Sequence, residues 1–283
     1  MSAPKRRPSV YFTRTAPHLL LMAYLIVVLY PFVFVLFSSV KTNNQEIAGN
    51  PFGLPDLIVF DNYVNAWVNA KINTYFFNSL YIGTLAACLS ILLAAMLAFA
   101  VTRMRYRRIS AIVFQLVLIG MLIPNNSLLL PIYSMLGKLG ILNTHMALLL
   151  PYAANAIPFS VIILAAFMRS IPGEIEEAAV IDGLSSAGLF GKIMIPVTIP
   201  AIVTVFIINF LGNWNEFLLA NYFLSSDHLK TLPVGMVGFR DIYNTNYAQM
   251  AAGIVFSVLP VLMMYLLLQK KIIEGVTAGS VKG

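Results

Sequence analysis

The stretch EEAAVIDGLSSAGLFGKIMIP, from Glu176 to Pro196, is a polar, acidic island between two long apolar segments. Just before it, Pro172 suits the first turn of a helix, and the glutamates that follow lie near the positive end of the helix dipole. Gly183 then permits a turn, and Ser185 or Ser186 offers a cap for a second short helix. The pattern predicts a surface loop of two short helices that returns to apolar sequence at Pro196.

The first predicted helix has one distinctive face. Glu174, Ala178 and Ile181 share it at helical spacing, with Glu177 beside them. Alanine on such a face allows a partner surface to approach closely. An ordinary amphipathic connector is the alternative interpretation. The residue spacing of the whole loop favours a partner-docking helix over such a connector.

Composition places the chain in a membrane. Of its 283 residues 59% are hydrophobic and only 10% are charged, with a mean hydropathy of +0.84. This is too little charge to cover a soluble protein of this size. A spanning helix needs about 20 predominantly apolar residues. Six segments are candidates: Leu19–Phe37, Ser79–Val101, Ile109–Gly137, Met146–Met168, Pro196 to about Leu224, and Met250–Gln269.

The third of these segments contains helix-breaking residues. Pro124, Pro131 and the Asn125-Asn126 pair predict that its helix ends near Ile123, followed by an interfacial or re-entrant stretch. The whole chain is therefore predicted to be an all-α membrane protein with six transmembrane helices.

The basic residues give an orientation. With the N-terminus inside, the inner side holds 13 Lys and Arg and the outer side 5, so both termini and the acidic loop are expected in the cytoplasm. The expected parts are a cytoplasmic N-terminus at 1–17, a transmembrane domain at 18–270 with its loop at 170–197, and a cytoplasmic tail at 271–283. Arginines around Tyr106 could suggest an RNA-binding patch, but at the end of a span they are better explained as anchors to anionic lipid.

Most chemical sites are not supported. The three histidines show no metal-ligand spacing, and no phosphate-binding G-x-x-x-x-G-K-[ST] loop occurs, so ATP hydrolysis would have to come from another chain. Neither a Ser-His pair nor paired aspartates suggest a membrane protease.

One acidic residue falls inside a predicted span. A charge at a helix centre costs roughly 2.5–3.5 kcal/mol on insertion scales, so Glu216 should face protein or water. Trp214, Asn215 and Glu216 are candidate residues of a translocation pathway. A hydrogen bond from Glu216 to another helix is the alternative, and Trp214 could equally be a sugar-stacking ring or an interfacial anchor.

The loop resembles the EAA loop of ABC importer permeases. The family pattern is Glu-Ala-Ala, three residues, Gly, nine residues, Ile, one residue, Leu-Pro. The matching residues are Glu177, Ala178, Ala179, Gly183, Ile193 and Pro196, with Ile195 in place of leucine. The resemblance covers nearly the whole chain and is closest to the smaller permease subunit of maltose-type sugar importers. Further residues that support it are Phe60, Asn62, Tyr63, Asn78, Ser79, Pro131–Tyr133, Leu139–Thr144, Trp214–Phe217 and Gly275–Gly283.

This resemblance implies a type I ABC importer permease fold with a cytoplasmic coupling helix that docks on an ATPase subunit. The docking residues it implies are Glu174, Glu177, Ala178, Ala179, Asp182 and Gly183. The C-terminal tail, through Thr277, Gly279 and Lys282, would reach the same ATPase.

The resemblance also implies the surrounding system. The partners would be a second homologous permease, two ATPase subunits that use ATP and Mg²⁺, and an extracytoplasmic solute-binding protein, with no cofactor or metal on this chain. The solute would be a carbohydrate, with an oligosaccharide favoured, taken up into a bacterium through its inner membrane. A glycerol-phosphate or other polar-solute importer is an alternative. A secondary transporter is another, but it would need intramembrane charges beyond Glu216.

Overall fold

Helices account for the regular structure of the chain. The computed structural model describes residues 9–103, 106–239 and 246–278, with side chains described from residue 17 to residue 269 of these ranges, and no strand occurs among them. The helices are α1 (Ser9–Ser39), α2 (Asn44–Gly49), α3 (Asp61–Val64), α4 (Ile72–Arg103), α5 (Arg107–Gly120), α6 (Leu129–Lys138), α7 (Met146–Ser170), α8 (Gly173–Ile181), α9 (Ser186–Leu189), α10 (Ile195–Trp214), α11 (Leu218–Phe223), α12 (Leu232–Val237) and α13 (Tyr247–Ala278).

The predicted spans are confirmed with two changes of outline, in the third span and in the fifth. Five stretches of helix in the described chain are long and apolar enough to cross a membrane: Pro17–Ser39, Ile72–Arg103, Met146–Ser170, Ser186–Trp214 and Tyr247–Gln269. The third predicted span is a broken one, in which α5 and the helical stretch Asn125–Lys138 meet at 87°. Its first helix ends at Gly120, close to the predicted end at Ile123, and Pro124 precedes the new helical turn.

The fifth predicted span is wrong at its far end. It was expected to continue to about Leu224 with Glu216 inside it, but α10 ends at Trp214 and α11 begins at Leu218. Glu216 therefore lies in a break between two helices, where backbone N–H groups are available to its carboxylate.

Contacts divide the chain into two units, with boundaries after residues 70, 238 and 256. In the first unit, the Asn62 amide donates to the carbonyls of Ser39 and Lys41 at 3.0 and 2.8 Å. Phe256 packs against the rings of Tyr63 and Trp67, with centroids 5.6 and 4.8 Å apart. Because Asn62 is buried, these bonds fix the chain where it leaves α1.

The second unit contains a three-helix core of α4, α7 and α10. Small side chains let helices in a membrane approach closely, and Ala86, Ala94, Ala95 and Ala98 of α4 are buried. Ala94, Ala95 and Ala98 form a core with Ala165 of α7 and with other side chains of α7 and α10. A close helix bundle is therefore the frame that positions the acidic loop.

A charged cluster lies at the start of α4. Asp227 accepts hydrogen bonds from Lys71 at 2.7 Å, Tyr75 at 2.9 Å and Lys230 at 3.2 Å. These bonds hold the pKa of Asp227 well below its usual range, with Lys71 the largest cause. The loop before α12 is thereby tied to the start of α4.

Candidate functional site

The acidic loop folds as its sequence predicts. Pro172 occupies the N-cap of α8, and Gly183 has a φ of +80°, a conformation that strongly favours glycine. Ser185 caps α9, and its hydroxyl accepts from the N–H of Gly188 at 3.3 Å. From Ser186 the chain runs through a π-helical segment, Phe190–Met194, directly into α10. The loop is thus continuous with a transmembrane helix.

Helix α8 has two opposite faces. Ala179 is 5% exposed and packs into the core that α4, α7 and α10 share. At 100° per residue, Glu176 lies near Ala179, whereas the predicted docking face of Glu174, Glu177, Ala178 and Ile181 points the other way. All four of those residues are exposed, and Ile181 is 84% exposed. Of the alanine pair expected at a partner surface, Ala178 is accessible, but Ala179 is taken up by the core of its own chain.

An ion pair fixes the inner face of α8. The Arg103 Nε lies 2.5 Å from a Glu176 carboxylate oxygen, and the two side chains are 16% and 18% exposed. The Arg103 guanidinium also donates to the main-chain carbonyls of Met168 at 2.5 Å and Ile171 at 3.0 Å. Arg103 ends α4, and Met168 belongs to the last turns of α7. One side chain therefore joins α4, the end of α7 and α8.

The outer face of α8 lacks such partners. Glu174, Glu177 and Asp182 are exposed and form no ion pair within the described chain. A groove of about 720 Å³ runs between α8 and the end of α4, lined by Glu177, Val180 and Ile181 on its exposed side and by Phe99, Arg103 and Glu176 on its inner side, among others. An acidic rim around exposed isoleucine and valine can receive a protein surface that has both basic and apolar groups.

A second polar region surrounds Glu216. One Glu216 oxygen accepts from the Leu219 N–H at 2.7 Å; the other accepts from the Ala220 N–H at 3.1 Å and the Tyr152 hydroxyl at 2.5 Å. The carboxylate thus caps α11 and joins it to α7. Glu216 also lines a cavity of about 340 Å³ with Tyr152 and several asparagines.

The two neighbours of Glu216 have different surroundings. Trp214 is 2% exposed, its indole N–H donates to the Ser257 carbonyl at 3.1 Å, and its ring stacks on Phe210. In this conformation the indole cannot stack on a sugar. Asn215 is exposed and donates to the Leu211 carbonyl of its own helix at 2.9 Å. Only Glu216 of the three predicted pathway residues lines the cavity.

We expect Glu216→Gln to destabilise the chain by about 2 kcal/mol, because a neutral amide loses the charge-assisted bonds to two N–H groups and a hydroxyl. Tyr152→Phe should cost about 1 kcal/mol. Thermal unfolding in detergent measures both. The double variant should lose less than the sum of the two single losses, since the residues share one bond; a strictly additive loss would contradict the assignment.

The predicted tail contacts lie at the limit of what the structure describes. Thr277 is in the last turn of α13, and Gly279 and Lys282 fall outside the described residues. Within the described part of the chain, no group of three or more His, Cys, Asp or Glu side chains could hold a metal ion.

Sequence reasoning missed two features. Arg103 was interpreted as a topological charge and as an anchor to anionic lipid, and Glu176 as a helix-dipole residue, although a basic helix end beside an acidic loop is a signal for an ion pair. Asn125 and Asn126 were noted as helix breakers, but Asn155 and Asn213, which line the same cavity, were not considered. Isolated asparagines in apolar spans were the available signal.

Comparisons with known proteins agree on one family. The family model described as "Binding-protein-dependent transport system inner membrane component" matches residues 90–273. The probable ABC transporter permease protein YurM of Bacillus subtilis (strain 168) is 35% identical over 279 residues, which are 99% of this chain and 92% of that protein. The diacetylchitobiose uptake system permease protein NgcG of Streptomyces coelicolor (strain ATCC BAA-471 / A3(2) / M145) is 37% identical over 267 residues, 93% of this chain and 87% of that one.

A solved structure shares the fold. A chain of a bacterial ABC transporter involved in the import of the acidic polysaccharide alginate superposes with a TM-score of 0.82, at 23% identity, over 95% of this chain and 99% of that chain. The similarity confirms the predicted all-α permease fold.

Proposed function

Because the chain belongs to the family of binding-protein-dependent transport system inner membrane components, we propose that it is the permease subunit of an ATP-driven importer for a carbohydrate. The family is that of the membrane component, so the chain is a permease and not the ATPase. It is a multi-pass protein of the inner membrane.

The observation that most supports the proposal is the divided surface of α8. Its inner face is fixed by Ala179 and Glu176, and its outer face presents Glu177, Ala178 and Ile181 without a partner in the described chain. In the proposal this outer face docks on a cytoplasmic ATPase subunit. Glu177 meets a basic group there, and the small Ala178 allows close approach.

The remaining loop residues have supporting roles in the same proposal. Glu174 and Asp182 extend the acidic rim, and Gly183 supplies the turn that holds α8 away from α9. Ala179 positions the helix from inside, since its side chain is buried. The position of each of these residues in the structure is compatible with its proposed role.

Movement of α8 would be transmitted to the transmembrane helices through rigid connections. Arg103 links α8 to the ends of α4 and α7, and the loop continues without interruption into α10. Closure of two ATPase subunits on ATP and Mg²⁺ would draw α8 and its counterpart on a second permease together. The core of α4, α7 and α10 would then rotate as one body, giving alternating access.

This mechanism requires a defined topology and set of partners. We place residues 1–17, the loop at 170–197 and the tail at 271–283 in the cytoplasm, where the tail would reach the ATPase. The transmembrane part, 18–270, would pair with a second homologous permease and receive solute from an extracytoplasmic binding protein. The excess of Lys and Arg on the inner side supports this orientation.

Carbohydrate is the solute class that the relatives support. The NgcG relative takes its name from diacetylchitobiose, and the transporter of shared fold imports alginate, so an oligosaccharide is the favoured substrate of this chain.

The engaged state of Glu216 disfavours ion-coupled transport. Its oxygens accept three bonds from Tyr152, Leu219 and Ala220, so the carboxylate has a structural task and its acceptor sites are occupied within the chain, whereas an ion-coupled transporter needs an intramembrane charge that can meet the ion.

Proteoliposomes test the proposal. The chain, reconstituted with its second permease, ATPase and binding protein, should import an oligosaccharide when ATP and Mg²⁺ are enclosed with the ATPase, and a proton gradient alone should not drive uptake. Uptake driven by the gradient without ATP would overturn the proposal in favour of a secondary transporter.

A further inference from the structure

An open polar cavity lies in the second unit, where two broken helices come together, and Asn125 and Asn126 are exposed at its edge. One break separates α5 from the helical turn that begins at Asn125, and the other separates α10 from α11. The middle of α7 closes the space, which has a volume of about 340 Å³. Its polar lining includes Asn125, Asn126, Asn155, Asn209 and Asn213. Irregular backbone at membrane depth is tolerated where it lines such a cavity.

Some of these polar groups already have structural tasks. The Asn209 amide donates to the hydroxyls of Ser90 and Ser160 at 3.0 and 2.9 Å, which ties α10 to α4 and α7. The Asn213 amide donates to the Gly83 carbonyl at 3.2 Å. Together with the engaged carboxylate of Glu216, these groups stabilise the walls of the cavity.

Other amides in the cavity are free to bind. Within the described chain, the side chains of Asn125, Asn126 and Asn155 have no hydrogen-bond partner. Asn155 is half-buried and is nine residues, or about 14 Å, from the start of α7, well inside a span of 25 residues. A polar side chain at that depth is costly unless it meets water or a solute.

The chemistry of the cavity fits a polyol. Each free amide offers both a donor and an acceptor, as a pair of sugar hydroxyls requires. Phe159, one helical turn from Asn155, adds an apolar wall for the C–H face of a sugar ring. Because the one carboxylate of the lining is already hydrogen-bonded, the remaining groups favour neutral hydroxyls over a cation.

We infer that this cavity is a hydroxyl-binding subsite for the transported carbohydrate on this subunit, with Asn155 and Asn126 as its hydrogen-bonding contacts. The inference rests on the proposed function as a carbohydrate importer. It assigns part of the substrate recognition to this chain, and the modest volume limits the subsite to a short part of an oligosaccharide.

The test uses the complete importer in proteoliposomes and a panel of radiolabelled di- to tetrasaccharides that includes diacetylchitobiose. Asn155→Leu should lower uptake about 10-fold, mainly through a higher KM, because a sugar hydroxyl is left without its partner. The unfolding temperature and the ATPase activity stimulated by the binding protein should not fall, since Asn155 bonds to nothing else in the described chain. Asn155→Gln should restore part of the uptake.

Asn221→Leu is the matched control, because Asn221 is an exposed asparagine of α11 that does not line the cavity. It should leave the KM unchanged. If Asn155→Leu does not reduce uptake, or if both variants reduce it equally, the subsite is overturned. The proposed function is not affected by that result. A wild-type importer that takes up no sugar of the panel would overturn the proposed function and the subsite with it.

Discussion

Replacing Arg103 by alanine is expected to destabilise the chain by about 3 kcal/mol and to abolish coupled transport. The change leaves the Glu176 carboxylate without its counter-charge at a site where it is 18% exposed, and it removes the donor to the Met168 and Ile171 carbonyls. Breaking a well-buried pair by removing one partner costs about 3–5 kcal/mol, and the slight exposure here places the cost at the lower end.

Thermal unfolding in detergent measures this loss, and a neighbouring pair of residues provides the control. Glu176→Gln should also lower the unfolding temperature, whereas Glu177→Gln, one residue along on the exposed face, should not. Equal unfolding temperatures for the wild type and the Arg103→Ala variant would show that the ion pair does not hold α8 in place.

The second large effect is expected on the opposite face of the same helix. Glu177→Arg should weaken association with the ATPase subunit by about 2 kcal/mol, or roughly 30-fold, because two like charges would then meet at the contact. Stability should be unchanged, since Glu177 is exposed and forms no ion pair within the described chain. Co-purification and ATP-driven uptake report the two consequences.

Lys192→Glu is the matched charge reversal in the same loop. Lys192 is exposed and belongs to the π-helical segment that leads into α10, not to α8. It should retain the ATPase. If both reversals release the ATPase equally, disturbing either charge of the loop is sufficient for release and the docking face is assigned wrongly.

The sequence was most informative where local chemistry decides the backbone. Gly183 and Ser185 act through their own dihedral angles or caps, and the structure has both in the predicted roles, while Pro172 lies at the N-cap, one residue before the predicted first turn. Long apolar segments likewise gave the spans, because a membrane leaves helices few alternatives.

Predictions that depended on distant contacts were weaker. Glu216 was placed inside a continuous helix because its neighbours are apolar, yet the bonds that allow the helix to break there come from Tyr152, 64 residues away, and from the start of α11. Ala179 was treated as half of an exposed pair, but which alanine faces inward depends on the core of α4, α7 and α10. Such features need the three-dimensional arrangement of the helices.

The two faces of α8 together suggest how stability and function are separated in this chain. One face is committed to the ion pair and the core, so it keeps the helix in a fixed position relative to α4 and α7. The other face is exposed and has no partners in the described chain. The exposure of isoleucine on this face is unfavourable, and a docked ATPase would cover it.

Site-specific photo-crosslinking is a direct test of the docking of α8 on the ATPase. A photoreactive phenylalanine would be placed at Ile181, which is 84% exposed, and separately at Leu122, which is 79% exposed between α5 and the helical turn at Asn125. In cells that express the whole transporter, we expect an adduct with the ATPase subunit from position 181 and none from position 122. Normal accumulation of the chain without an ATPase adduct from position 181 would contradict it.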